Sequence, residues 1–160
     1  MRDVIRAHLK ARTAGDIGQT WSEVTALAEQ EINPNVPGSY RDDGNAVEIF
    51  GLTEPLTPAA VLVALIERSA GMTVLLTRRT ESLSSHGGQI SFPGGRVEQN
   101  DGAPVCTALR EAEEEIGLAP SYVEILGRLA NYVVGTGYRI TPVVGFVDPV
   151  QHFVRDEREV

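Results

Sequence analysis

Phe92-Pro93-Gly94-Gly95, followed after an acidic loop by Arg110-Glu111-Ala112-Glu113-Glu114-Glu115-Ile116-Gly117-Leu118, is the stretch whose reading decides the fold. Glu111, Glu114 and Glu115 stand at i, i+3 and i+4, so a helix places all three carboxylates on one face. Like charges crowded on one face repel and destabilise the helix that carries them unless a cation neutralises them. A hard divalent metal suits a set of carboxylate oxygens.

The apolar residues support the helix. At about 100° per residue, Val105, Leu109, Ala112 and Ile116 are expected together on the face opposite the three glutamates. Pro104 suits a first turn and Gly117 a C-terminal cap, where a residue without Cβ can turn left-handed. Asp101 or Gly102 is expected to cap the start, and Arg110 can pair with Glu114 four residues on. An exposed acidic helix is the alternative reading. The agreement of turn, loop, apolar stripe and terminal glycine disfavours it.

Gly95 to Leu118 resembles the Nudix box. That pattern runs Gly, five residues, Glu, seven residues, then Arg-Glu-apolar-x-Glu-Glu-x-Gly-apolar. Arg110 to Gly117 match it in full, with Ala112 at the apolar place. The first half departs from it, because Asp101 stands where the family has Glu and eight residues separate it from Arg110. Either the loop carries one extra residue or Asp101 is not the counterpart. Upstream, Leu75-Leu76-Thr77-Arg78-Arg79-Thr80, then Gly88, then Phe92 to Gly95 is similar to the signature of Nudix enzymes that hydrolyse coenzyme A. Thr80 replaces a Ser of that signature and Ser84 its second Arg. Gly135 to Gly145 resembles the same subfamily.

The resemblance implies an α/β fold, a Nudix-type α/β/α sandwich with a mixed β-sheet and a metal-binding loop-helix-loop. It implies Mg²⁺ or Mn²⁺ held by Glu111, Glu114, Glu115 and the backbone carbonyl of Gly94, with Arg78, Arg79, His86, Gly88 and Phe92 on the substrate side. The implied reaction is hydrolysis of the diphosphate of coenzyme A or its thioesters to 3',5'-ADP and 4'-phosphopantetheine or its acylated form. Two alternatives are hydrolysis of another nucleoside diphosphate derivative, such as ADP-ribose or an NTP, and a Nudix-fold binding module without turnover. The residue that activates water is left among Glu98 and Asp101 in the loop, a glutamate of the box itself such as Glu114, and a residue of a later loop.

Composition bounds the partners. The net charge of -8 and pI near 4.9 argue against nonspecific binding to nucleic acid or to an anionic membrane. An anionic small molecule must then meet local cations, and of the 14 basic residues only Lys10 is a lysine. Arginine's planar fork suits bidentate contact with phosphate. The one cysteine, Cys106, lies in the expected helix and reads as structural. No apolar run reaches the length of a membrane span, and Met1-Arg2-Asp3 lacks the layout of a secretory signal. A cytoplasmic, reducing compartment is the simplest reading.

Along the chain, residues 1-56 are expected to be a helical and extended segment, with short helices over Arg2 to Lys10 and Trp21 to Ile32 and a Pro- and Gly-rich stretch from Asn33 to Gly51. That segment can pack on the domain or on the second subunit of a homodimer. Residues 57-160 form the expected Nudix domain, incomplete at its C-terminal end. Strands are expected over Ala60 to Glu67, Met72 to Thr77, Gln89 to Phe92, Tyr122 to Val134 and Arg139 to Val147. Gly135-Thr136-Gly137 is expected to be a turn near the substrate.

Overall fold

The computed structural model describes residues 51, 55–80, 88–149, 153–158 and 160. The expected N-terminal helices, residues 33–50 of the Pro- and Gly-rich stretch, Ser84 and His86 lie outside these residues.

Strand β1 (Thr57–Arg68) is the axis of the fold. Its β-branched and aliphatic residues alternate between two buried faces, so Ala60, Leu62, Ala64 and Ile66 point one way while Val63 and Leu65 point the other. β1 turns back at residues 69 and 70 into β2 (Gly71–Val74), which pairs with it antiparallel from Leu65↔Val74 to Arg68↔Gly71. The chain then forms a separate two-stranded ribbon, β3 (Thr77–Arg78) with β4 (Ile90–Ser91). The expected single strand from Met72 to Thr77 is thus split between two sheets at Leu75 and Leu76.

The Gly-Gly segment, expected as a loop, is itself a strand. β5 (Gly94–Arg96) pairs antiparallel with the start of β1, with Ala60↔Gly95 and Val61↔Gly94 in register. A Cβ at Gly94, where φ is 154°, would collide with the Ala60 carbonyl and the Val61 Cα. Glycine lets the two backbones approach this closely.

Helix α1 (Pro104–Ile116) follows the acidic loop. Pro104 occupies its first turn as expected, but the N-cap is Ala103, which makes no side-chain cap bond. Asp101 and Gly102 do not cap it. Asp101 instead turns its carboxylate to Thr107 and Arg110. At the other end Gly117 adopts φ 66°, ψ 20° and its N–H donates to the Glu113 carbonyl at 2.9 Å.

The chain continues through a 3-10 turn (Pro120–Tyr122) into β6 (Val123–Arg128), then β7 (Tyr132–Val134) and β8 (Tyr138–Val147). The expected strand from Tyr122 to Val134 is therefore two strands, and the expected break at Gly135-Thr136-Gly137 is the turn between β7 and β8. β8 lies parallel to β1 over ten residue pairs, from Thr57↔Tyr138 to Ile66↔Val147, and antiparallel to β6 and β7. The result is a mixed six-stranded sheet in the order β2-β1-β8-β6, with β5 on the edge of β1 and β7 on the edge of β8.

Helix α1 packs on one face of that sheet. Ala108, Ala112, Ile116 and Leu118 meet Ala60, Leu62, Ala64, Ile66, Val143 and Val147. The small residues Ala60, Ala64, Ala108 and Ala112 are fully enclosed and bring helix and sheet close together. The opposite face carries Leu126, Val144 and Phe146 against Val63, Leu65 and Met72. Among the described residues there is one α-helix, so one of the two helical layers of the expected α/β/α sandwich is present there.

Candidate active site

The buried side of α1 differs from expectation in phase. Thr107, Ala108, Ala112, Glu115 and Ile116 are buried, while Val105 and Leu109 are only partly covered. Glu115 is 3 % exposed and shares the buried side with Ala112 and Ile116 rather than facing away from them. Residues three and seven positions apart lie on one helical stripe, which accounts for the grouping of Glu115 with Ala112 and Ala108. The Gly94 N–H donates to Glu115 Oε2 at 3.3 Å, so strand β5 and the helix meet through this carboxylate.

Glu111 is one turn earlier and lies against Gly95. Any Cβ at residue 95 would overlap its carboxyl group. The two glycines thus have separate tasks, Gly94 to admit the β1 backbone and Gly95 to leave room for a carboxylate. Glu114 is the outermost of the three, with 57 % of its side chain exposed.

Arg110 stands at the centre. Its Nη1 pairs with Glu111 Oε1 at 2.9 Å and with Glu114 Oε2 at 3.0 Å, the second being the expected i, i+4 contact. Its Nε and Nη2 reach Asp101 Oδ1 at 2.9 Å and Oδ2 at 3.1 Å. Nη2 also donates to the Arg96 carbonyl at 3.1 Å, tying the helix to β5. Glu98 is more distant, at 3.9 Å, and largely exposed.

Asp101 is nearly enclosed, at 9 % exposure. Oδ2 accepts from the Glu98 N–H at 2.8 Å and the Thr107 hydroxyl at 2.8 Å, in addition to Arg110. Four donors on two oxygens use about all the acceptor capacity of a carboxylate. Burial pushes its pKa up, but the hydrogen bonds from Arg110, Glu98 and Thr107 and the Arg110 charge outweigh this and hold it below the ordinary carboxylate value. The hydrogen bond to Asp101 raises the Arg110 pKa in return, against the burial that opposes it. Thr107 is a site residue not expected from the sequence. It stands three and four residues before Arg110 and Glu111, on the helical stripe that carries the charged residues.

Five carboxylates, those of Glu98, Asp101, Glu111, Glu114 and Glu115, surround this single guanidinium and the Gly94-Gly95 strand. Among the described residues no three acidic, imidazole or thiol side chains stand preassembled as a metal cage. A hard cation that keeps several waters needs only a few carboxylates, and the all-oxygen donor set with its surplus negative charge fits Mg²⁺ or Mn²⁺.

Of the residues expected to meet substrate, Arg78 is in β3 and Arg79 follows it, with the Arg79 N–H on the Gln89 carbonyl at 2.9 Å and the Gly88 N–H on the Arg79 carbonyl at 3.0 Å. The ribbon therefore brings Arg78, Arg79 and Gly88 together. Phe92 is half-buried where the ribbon runs into Pro93 and β5. Cys106 is exposed on α1 with no cysteine partner.

The NUDIX domain family matches residues 56–159, and the chain belongs to that family. It is 41% identical over 113 residues to a protein of Citrobacter koseri named an uncharacterized Nudix hydrolase, NudL, covering 71% of this chain and 58% of that one. It is 45% identical over 102 residues to the NudL of Yersinia pestis, covering 64% of this chain and 51% of that one. The chain thus spans little more than half the length of these relatives. Among solved structures, the Nudix hydrolase RenU of M. smegmatis superposes with a TM-score of 0.54 at 24% identity, covering 65% of this chain and 66% of that one, and bears on the fold alone.

Proposed function

We propose that this protein is a divalent-metal-dependent hydrolase that cleaves the diphosphate bond of coenzyme A or its thioesters. The observation that carries the reading is the packing of Glu111 and Glu115 against the Gly94-Gly95 strand, with Glu114 beside them and Arg110 as the cation at their centre. The names of the relatives support the hydrolase class. The likeness of Leu75 to Gly95 to the coenzyme A signature supports the substrate, and Nudix hydrolases generally use a divalent ion such as Mg²⁺ or Mn²⁺.

Water adds to one phosphorus of the diphosphate and the bridging P–O bond breaks, leaving 3',5'-ADP and 4'-phosphopantetheine, or acyl-phosphopantetheine from a thioester. A bound divalent ion supplies charge neutralisation on the phosphoryl oxygens and eases the loss of a proton from water. Glu111, Glu114, Glu115 and the Gly94 carbonyl would hold it. Arg110 positions Glu111 and Glu114, and Asp101 positions Arg110. Both oxygens of Asp101 are already engaged, which supports Glu98, Glu114 or a residue of a later loop as the group that takes the proton. Arg78 and Arg79 would meet the phosphates of the substrate, a small nucleotide rather than nucleic acid or membrane. No helix among the described residues is long and apolar enough to cross a membrane.

The test is incubation with coenzyme A, ADP-ribose, NADH and nucleoside triphosphates, each with Mg²⁺ or Mn²⁺, and identification of products by mass. Release of 3',5'-ADP from coenzyme A ahead of the other compounds is expected. Faster cleavage of ADP-ribose would overturn the substrate while leaving the chemistry. No turnover of any compound would overturn the enzymatic reading in favour of a binding module.

A further inference from the structure

The segment from Phe153 to Arg158 has no regular secondary structure, yet it closes the end of α1. A helix leaves its last carbonyls without intrahelical partners. Here the Val154 N–H donates to the Ile116 carbonyl at 2.9 Å and the Asp156 N–H to the Glu115 carbonyl at 2.8 Å. Val154 also lies directly over Gly117. The segment then bends around Asp156, whose carboxylate accepts from the Arg158 N–H at 2.9 Å and from its Nε and Nη2 at 3.0 and 2.6 Å. Beyond the bend Val160 is buried in the helix-side core, its N–H on the Asp156 carbonyl at 2.9 Å.

The far side of this bend meets the β3–β4 ribbon. The Thr80 hydroxyl donates to the Arg158 carbonyl at 3.0 Å, across 78 residues of sequence. The ribbon forms no strand pairing with the six-stranded sheet. It is joined to β1 at its two roots, where the Leu75 N–H meets the Ala64 carbonyl at 3.0 Å and the Leu62 N–H meets the Pro93 carbonyl at 2.8 Å. Its outer part, where Arg79 and Gly88 pair, is reached from the helix side by way of Thr80.

We infer that residues 153–158 act as a strap between the carboxylate-bearing end of α1 and the arginine-bearing ribbon, with Thr80 as the positioning residue that fixes the distance between them. One end of the strap holds the backbone of Glu115, and the other holds the residue that follows Arg78 and Arg79. A diphosphate substrate that spans cation and carboxylates depends on that distance, since small misplacements of binding groups weaken productive binding. A hydroxyl at position 80 therefore has a task in the chain itself, apart from any contact with substrate.

This inference rests on the proposed hydrolase reading for its functional half, so the experiment has two readouts. Thr80→Val keeps the shape of the side chain and removes the donor, while Thr80→Ser keeps the donor. With coenzyme A and Mg²⁺, Thr80→Val is expected to raise KM about three-fold, the effect of losing one weak neutral hydrogen bond, with kcat within about two-fold. Thr80→Ser should match the parent. Independently of catalysis, hydrogen exchange of the amides in 76–80, 88–92 and 153–158 should quicken in Thr80→Val and not in Thr80→Ser. Unchanged exchange overturns the strap. Quickened exchange with unchanged KM overturns the positioning role and reduces Thr80 to a structural tie. If the parent cleaves no diphosphate, the hydrolase reading fails, and the strap is decided by exchange alone.

Discussion

Arg110 and Asp101 form a two-pronged pair, Nε to Oδ1 at 2.9 Å and Nη2 to Oδ2 at 3.1 Å, that joins the acidic loop to the middle of α1. The remaining nitrogen of the same guanidinium holds Glu111 and Glu114. One arginine thereby links loop, helix and β5, and the orientation of two box glutamates depends on a carboxylate outside the helix.

Asp101→Asn keeps the shape and removes the charge, and should destabilise the protein by about 2 to 3 kcal/mol near neutral pH, as expected for a nearly buried, charge-assisted network. Asp101 has its folded pKa lowered despite burial, because its hydrogen-bond donors and the Arg110 charge favour the ionised form. A group so lowered contributes stability above its unfolded pKa and loses that contribution as pH falls through the folded value. The stability gap between parent and variant in urea unfolding should therefore be full near pH 7 and narrow below the ordinary carboxylate range. A gap that stays constant into strong acid would contradict the assignment.

Glu115→Gln should preserve the fold, because the amide oxygen can still accept from the Gly94 N–H. Hydrolysis should fall by at least about a hundredfold, the scale seen when one preorganised electrostatic group is removed from an active site. Turnover measured beside a thermal melt checks this, and Mn²⁺ binding followed by calorimetry should weaken in parallel. Full activity with weakened melting would place Glu115 in the fold alone.

Gly94→Ala and Gly95→Ala separate backbone packing from site geometry. At Gly94 the added methyl meets the backbone of Ala60 and Val61, which cannot yield, so a loss of about 3 kcal/mol or more is expected. At Gly95 it meets the carboxyl end of Glu111, a movable group, so stability should fall by only about 1 kcal/mol while activity falls steeply. Equal losses of stability in the two variants would refute the division.

Leu62→Ala removes a fully buried side chain from the core between α1 and the sheet. A cost of about 3 kcal/mol is expected from lost transfer energy and the remaining cavity. Because the Leu62 N–H also donates to the Pro93 carbonyl at the root of the ribbon, chemical denaturation should be followed together with KM. KM should stay unchanged under conditions where the variant is folded, since the backbone bond survives.

What the sequence determined by itself is local. Pro104 and Gly117 marked the ends of α1, and the spacing of Arg110, Glu111, Glu114 and Glu115 predicted both the acidic site and the Arg110–Glu114 pair, because i, i+3 and i+4 neighbours follow from helical geometry alone. The strand expected over Ala60 to Glu67 and the break at Gly135 to Gly137 were legible from an apolar run and from paired glycines. The phase of the helix was not. Glu115 turned inward because β5 offers it a backbone N–H, and no periodicity in α1 encodes a partner 21 residues away. Nor does loop composition tell a solvated aspartate from Asp101, whose four donors come from Glu98, Thr107 and Arg110. The parallel pairing of β1 with β8, the entry of Gly94-Gly95 into the sheet, and the tie from Thr80 to Arg158 were decided only by tertiary structure. Hydrogen bonds across such separations form wherever packing of the apolar faces brings donors and acceptors together, and that packing is a property of the whole chain rather than of any one segment.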